Sequence, residues 1–116
     1  MTCEEFIIGY LSSELTETVI PVSGSVPHPM PDEFVTVEMT GMSKVNYIEK
    51  ALISIECWST SRAQASALNE RVYDAMCRVS EQAEVSACAL ETIYNDTDME
   101  TNRPRYHSRY SIVNMS

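Results

Sequence analysis

Hydrophobic positions along this chain recur at two periods, and each change of period marks a change of predicted element. Between Cys3 and about Leu15, Phe6, Ile7, Tyr10 and Leu11 return every three to four residues, with Thr2 and Glu5 in capping-box spacing at the start. That spacing is one face of a helix, and the box supplies acceptors for its first free N–H groups. Val19 to Ser25 is rich in β-formers and predicts a short edge strand. Pro27, Pro29 and Pro31 then remove every second backbone donor, so the stretch from Val26 to Pro31 predicts an extended connector and neither helix nor central strand.

Phe34 to Thr40 alternates, with Val35, Val37 and Met39 on one side. Ala51 to Trp58 alternates too: Ala51, Ile53, Ile55 and Cys57 form an apolar side, and Leu52, Ser54, Glu56 and Trp58 a mixed one. A mixed side implies a second sheet face that is also partly covered. Gly41 to Lys50 combines turn residues with Met42, Val45, Tyr47 and Ile48 and predicts a long β-arm joining the two strands as a hairpin. Those four apolar residues sit in a segment too rich in turn formers for a core, which makes them the candidates for a subunit interface.

The helical period resumes after Ser61, which has Gln64 three residues on as a second capping box. Ala65, Leu68, Val72, Ala75, Met76 and Val79 keep one face for nearly five turns, and Arg62, Gln64, Ser66, Asn69, Glu70, Arg71 and Asp74 form the side expected in solvent. Val85 to Tyr94 and Tyr106 to Val113 read as two closing strands. On the last, Tyr106, Ser108, Tyr110 and Ile112 alternate with His107, Arg109 and Ser111. Pairing Tyr94 with Tyr106 would set Glu91 opposite Arg109 and Leu90 opposite Tyr110. The pattern predicts a single α+β domain over residues 1–116: a mostly antiparallel sheet of four to five strands, two helices packed on it, and a long β-arm hairpin.

Charge narrows the partners. A formal net charge of −9 disfavours any tight, sequence-independent hold on nucleic acid, which needs clustered Lys and Arg to displace counterions. The acidic N-terminal stretch and the lack of a long apolar run predict a cytosolic chain with no membrane partner. In that compartment Cys3, Cys57, Cys77 and Cys88 are expected as thiols, spaced neither as C-x-x-C nor as a zinc knuckle, with Cys57, Cys77 and Cys88 on core-facing positions. Asn95-Asp96-Thr97 matches a glycosylation acceptor only on a secreted chain.

Motifs of catalysis are not found. Three glycines, Gly9, Gly24 and Gly41, form no phosphate-binding loop, dinucleotide turn or nucleophile elbow. His28 and His107 belong to no zinc-spaced pair, so metal and cofactor sites are expected to be absent. Asp96, Asp98 and Glu100 place oxygen donors at every second residue, yet the glycine and distant glutamate of a calcium loop are missing, and a solvated acidic loop is expected. Arg103, Arg105 and Arg109, interleaved with Tyr106 and Tyr110, are expected to pair across strands or contact protein, not RNA. A cysteine–histidine nucleophile pair would leave no local signature, and nothing marks one thiol as activated.

The order of elements resembles a known group. A leading helix, a Pro-containing extended segment and a hairpin ending in Ile53-Ser-Ile-Glu-Cys-Trp58 come first, then a Ser-capped helix with Ala65 and Leu68 and a final strand Arg105-Tyr-His-Ser-Arg-Tyr-Ser-Ile-Val113. This order is similar to that of the tail-terminator and tail-to-head joining (tail completion) proteins of long-tailed bacteriophages. The resemblance implies a non-enzymatic virion protein, assembled in the host cytoplasm and resident in the phage tail. Its subunits would form a ring, expected to be a hexamer, that caps the tail tube protein and offers a surface to the head connector protein while DNA passes through. On that reading Asp96, Asp98 and Glu100 are candidates for the lumen or its rim. Another head–tail connector adaptor, a minor tail subunit, or, from a different class, a small cysteine-dependent enzyme are the alternatives.

Overall fold

A computed structural model describes residues 2–15, 20–46, 48–83 and 85–115, with residues 114 and 115 described by backbone alone. Helix α1 spans Cys3–Glu14, and the Thr2 hydroxyl accepts the Glu5 amide at 3.1 Å, as its capping pattern predicts. Strand β1 is only Val22–Ser23; β2 is Phe34–Val45 and β3 Ile48–Trp58. Helix α2, Arg62–Cys77, starts on Ser61, whose hydroxyl accepts the Gln64 amide at 3.2 Å, and a 3-10 turn, Val79–Glu81, follows it. Strands β4, Ala87–Asn95, and β5, Arg105–Met115, complete one five-stranded sheet in the order β1-β2-β3-β5-β4. Only the β1–β2 pair is parallel.

Both helices lie on one face of this sheet. Ile7, Tyr10 and Leu11 of α1 and Ala65, Leu68, Val72, Ala75 and Met76 of α2 are buried with Val35, Val37, Ile53, Ile55, Cys57, Tyr110 and Ile112 from the strands. These are the positions that the two hydrophobic periods place on inner faces. Withdrawing each of the larger aliphatic side chains from water is worth roughly 1.5–3 kcal/mol, so this layer dominates the stability of the domain. The α1 end is also stitched by polar groups: Glu4 Oε1 accepts the Met39 amide at 2.9 Å, beyond the point where the two-residue β1 stops pairing with β2. At the other end Tyr10 Oη donates to the Ala75 carbonyl at 2.7 Å and ties the helices together.

Three expectations change. The β2–β3 hairpin is long, but an arm standing apart from the sheet is not distinguished, because β5 stays paired with β3 as far as Ile48↔Met115. The turn residues of 41–50 are absorbed differently: Thr40 is an extra residue at a register shift between Met39 and Gly41, and Asn46, at φ 51°, opens the tight connection between Val45 and Ile48. Asparagine tolerates that left-handed conformation better than most residues. On the closing hairpin Leu90 does face Tyr110, yet Thr92, not Glu91, faces Arg109, and Tyr94 faces His107. A β-bulge at Glu91 puts two residues of β4 against one of β5 and moves the register by one. Finally, Asn69 is 3% exposed and not on the solvent side; its Oδ1 lies 3.9 Å from Cys57 Sγ, where a polar group can enter the core because it has a partner.

Candidate functional site

Two groups of residues are set at opposite ends of the sheet, along a molecule measuring 43 × 28 × 23 Å. At the hairpin tip Val45 pairs with Ile48 and Met42 with Ala51. Met42 is 50% exposed, Val45 66% and Ile48 45%, whereas Val35, Val37, Ile53 and Ile55 nearer the sheet centre are buried. Tyr47, the fourth interface candidate, lies outside the described residues. Beside the tip, Met42, Ser43, Lys50, Leu52 and the bulged Glu91 line an open depression on the surface. Away from the tip, the edge strand β4 exposes Leu90 near mid-sheet and Ile93 and Tyr94 toward the opposite end. Exposed apolar side chains gathered at one tip, as Met42, Val45 and Ile48 are, make that tip the candidate contact surface.

The opposite end carries a polar network on the sheet face away from the helices. Phe34 and Trp58 stack at 5.0 Å, and Trp58 Nε1 donates to Thr36 Oγ1 at 3.3 Å. The Arg105 guanidinium lies 4.8 Å over the Trp58 ring and reaches Glu56 Oε2 and Asp96 Oδ2 at 3.0 Å each and Asp98 Oδ1 at 3.8 Å. Its Nε also donates to the Asp96 carbonyl at 2.8 Å. Arg103 donates to the carbonyls of Pro31, Asp32 and Ser59 and fastens the Pro-containing connector to the β4–β5 loop. These two arginines therefore cover the mixed side of β3, as its Trp58 and Ser54 suggested, and neither is part of a free basic strip.

Of the three loop acids, Asp96 and Asp98 are half-buried and engaged, while Glu100 is exposed. The Thr101 hydroxyl and amide both donate to Asp98 Oδ2, and the hydroxyl hydrogen bond first among several causes holds the Asp98 carboxyl below the ordinary carboxylate range. The solvated loop expected here is thus half an ion-pair network. Sequence reading separated its members, since Glu56, Asp96 and His107 come from β3, the loop and β5; the signal was that Glu56 and His107 each fall on the polar side of their strand. The structure sets them opposite each other in register.

The four thiols differ in burial. Cys57 is buried, Cys3 and Cys88 are half-buried, and Cys77 is exposed, contrary to the core position expected of it at the end of α2. Burial, with the charge of Glu56 next, pushes the Cys57 thiol far up; burial, followed by the charges of Cys77 and Cys3, raises Cys88 to about 11. Burial also raises Cys3, with Glu49 adding to the effect. Among the described residues no helix is long and apolar enough to cross a membrane. Compared with known proteins, the chain matches no protein-family model and no curated sequence.

Proposed function

We propose that this protein is a structural, ring-forming subunit that terminates the tail tube of a long-tailed bacteriophage and offers the surface to which the head connector joins. The observation that carries the reading is the hairpin tip, where Met42, Val45 and Ile48 stand out of the core in one place. A contact of that tip with a different patch of the next identical subunit is head-to-tail, and such contacts close into a ring when the rotation between subunits permits. The net charge of −9 suits a ring through which DNA passes, because a negative wall repels phosphates and lets the duplex slide. Asp96, Asp98 and Glu100 are the proposed rim residues, with Glu100 the most open to solvent of the three.

A cysteine-dependent enzyme would need a thiol whose pKa is lowered by a neighbouring cation or helix N-terminus. Burial moves Cys3, Cys57 and Cys88 the other way, which favours the structural reading.

Native mass spectrometry and electron microscopy of the purified protein, alone and mixed with tail tubes, test the proposal. The wild type should give closed rings, expected to be hexamers. Val45→Asp together with Ile48→Asp should stay monomeric with an unchanged circular-dichroism spectrum, since both side chains are exposed and their replacement leaves the core intact. A wild type that remains monomeric in both settings, or a double variant that assembles normally, would sink it.

A further inference from the structure

We infer that Glu56, Asp96 and His107 form a binding site for one divalent transition-metal ion of the zinc type. One donor atom from each residue lies within 4.8 Å of the other two, although the residues belong to β3, the β4–β5 loop and β5. His107 Nδ1 stands 3.5 Å from Asp96 Oδ2 without making a hydrogen bond to it. Two ligands on a tetrahedral ion with bonds of about 2.0–2.1 Å are separated by about 3.4 Å, so this pair already has the spacing of neighbours on one metal.

The imidazole supplies a second, independent observation. Both of its nitrogens are shut off from solvent, and neither has a hydrogen-bond partner among the described residues. Buried polar atoms are nearly always satisfied, and an orphan asks what completes it. The ring is held for the purpose: it stacks on Tyr94 at 5.0 Å, 15° from parallel. A neutral imidazole nitrogen is the commonest metal donor among side chains.

Charge points the same way. Glu56, Asp96 and Asp98 surround the single guanidinium of Arg105. Three carboxylates against one guanidinium leave two negative charges over, and one divalent cation balances them. Arg105 holds Glu56 through Oε2 and Asp96 through Oδ2, the same Asp96 oxygen that lies nearest His107 Nδ1, and so fixes both carboxylates beside the imidazole. Metal-binding carboxylates are usually held by outer hydrogen bonds of this kind. One nitrogen and two oxygen donors suit zinc, cobalt or nickel; calcium and magnesium prefer oxygen alone. A bound ion would clasp the β4–β5 loop to the open face of the sheet.

The test adds ZnCl2 to the metal-free wild type and follows binding by calorimetry and thermal melting, with Co2+ absorption to report the donors. The expected result is one equivalent bound, a higher melting temperature, and a cobalt spectrum without thiolate bands. His107→Gln and, separately, Asp96→Asn should each weaken binding at least about tenfold, while His28→Gln changes nothing. If a site variant does not fold, imidazole NMR of the wild type decides, because the chain has only two histidines: zinc should shift the His107 signals and spare those of His28. No binding by the wild type, undiminished binding by folded His107→Gln, unmoved His107 signals, or thiolate bands in the cobalt spectrum would overturn the inference and leave the cluster an ion-pair network only.

Discussion

At the scale of single residues, position relative to the sheet decides what each cysteine can do. Cys57 is buried in the same core cluster as Leu68 and Val72, with Asn69 Oδ1 3.9 Å from its sulfur, and desolvation of its thiolate pushes the pKa far above the working range. Cys77 ends α2 on the exposed side. Under native conditions at neutral pH a thiol reagent should therefore modify Cys77 quickly, Cys88 slowly, and Cys57 only once the chain is unfolded. Peptide mass mapping of briefly alkylated protein checks this order, and rapid native labelling of Cys57 would contradict the packing described for it. Asn69 teaches the companion lesson. A helical-wheel reading puts a polar residue outside, but an amide with a partner can be buried where neighbouring apolar residues close around it.

At the scale of elements, α2 combines a cap and a core face that differ in energetic weight. Ser61 satisfies one amide of the first turn, and its replacement by Ala should cost about 1 kcal/mol. Gln64 does not reach back as a reciprocal capping box would; its Oε1 instead accepts from the hydroxyls of Thr60 at 2.7 Å and Ser59 at 3.3 Å. Leu68 is 2% exposed, and Leu68→Ala should cost about 2–5 kcal/mol because a cavity is added to the lost transfer energy. Urea unfolding of the two variants should rank them in that order with unchanged slopes. Equal losses would mean that the face of α2 contributes less to stability than its burial indicates. The hairpins obey a different rule. Their alternation was legible, but the extra residues Thr40 and Glu91 were not, because a bulge is a decision of two paired strands and has no periodic signature in either alone.

At the scale of the whole molecule, the distribution of charge matters more than its total. Arg103 and Arg105 are consumed inside the loop network, so the nearest thing to a basic strip in the sequence is not presented to solvent as one. At near-physiological salt the protein should not retain duplex DNA or RNA in a gel-shift. Micromolar or tighter retention would contradict both the acidic-conduit argument and the pairing of these arginines. The apolar tip and the polar network sit at opposite ends of the sheet, so subunit contact through one leaves the other free to face a lumen or a partner, and substitutions at Val45 and His107 should act independently.

The amino-acid sequence by itself determined the α+β class, the two capped helices, the inner faces of β2, β3 and β5 and the exposed Met42, Val45 and Ile48, because each follows from local period, capping chemistry or turn content. Tertiary structure alone decided three things. It extended the hairpin strands through a turn-rich stretch by pairing β5 along the full length of β3. It drew Asn69 into the core beside Cys57. It also set Glu56 against His107 and brought Asp96 and Arg105 onto them. The physical reason is common to all three: cross-strand register and side-chain partners depend on residues far apart in the chain, and the periodicity of a single segment carries no information about its neighbour.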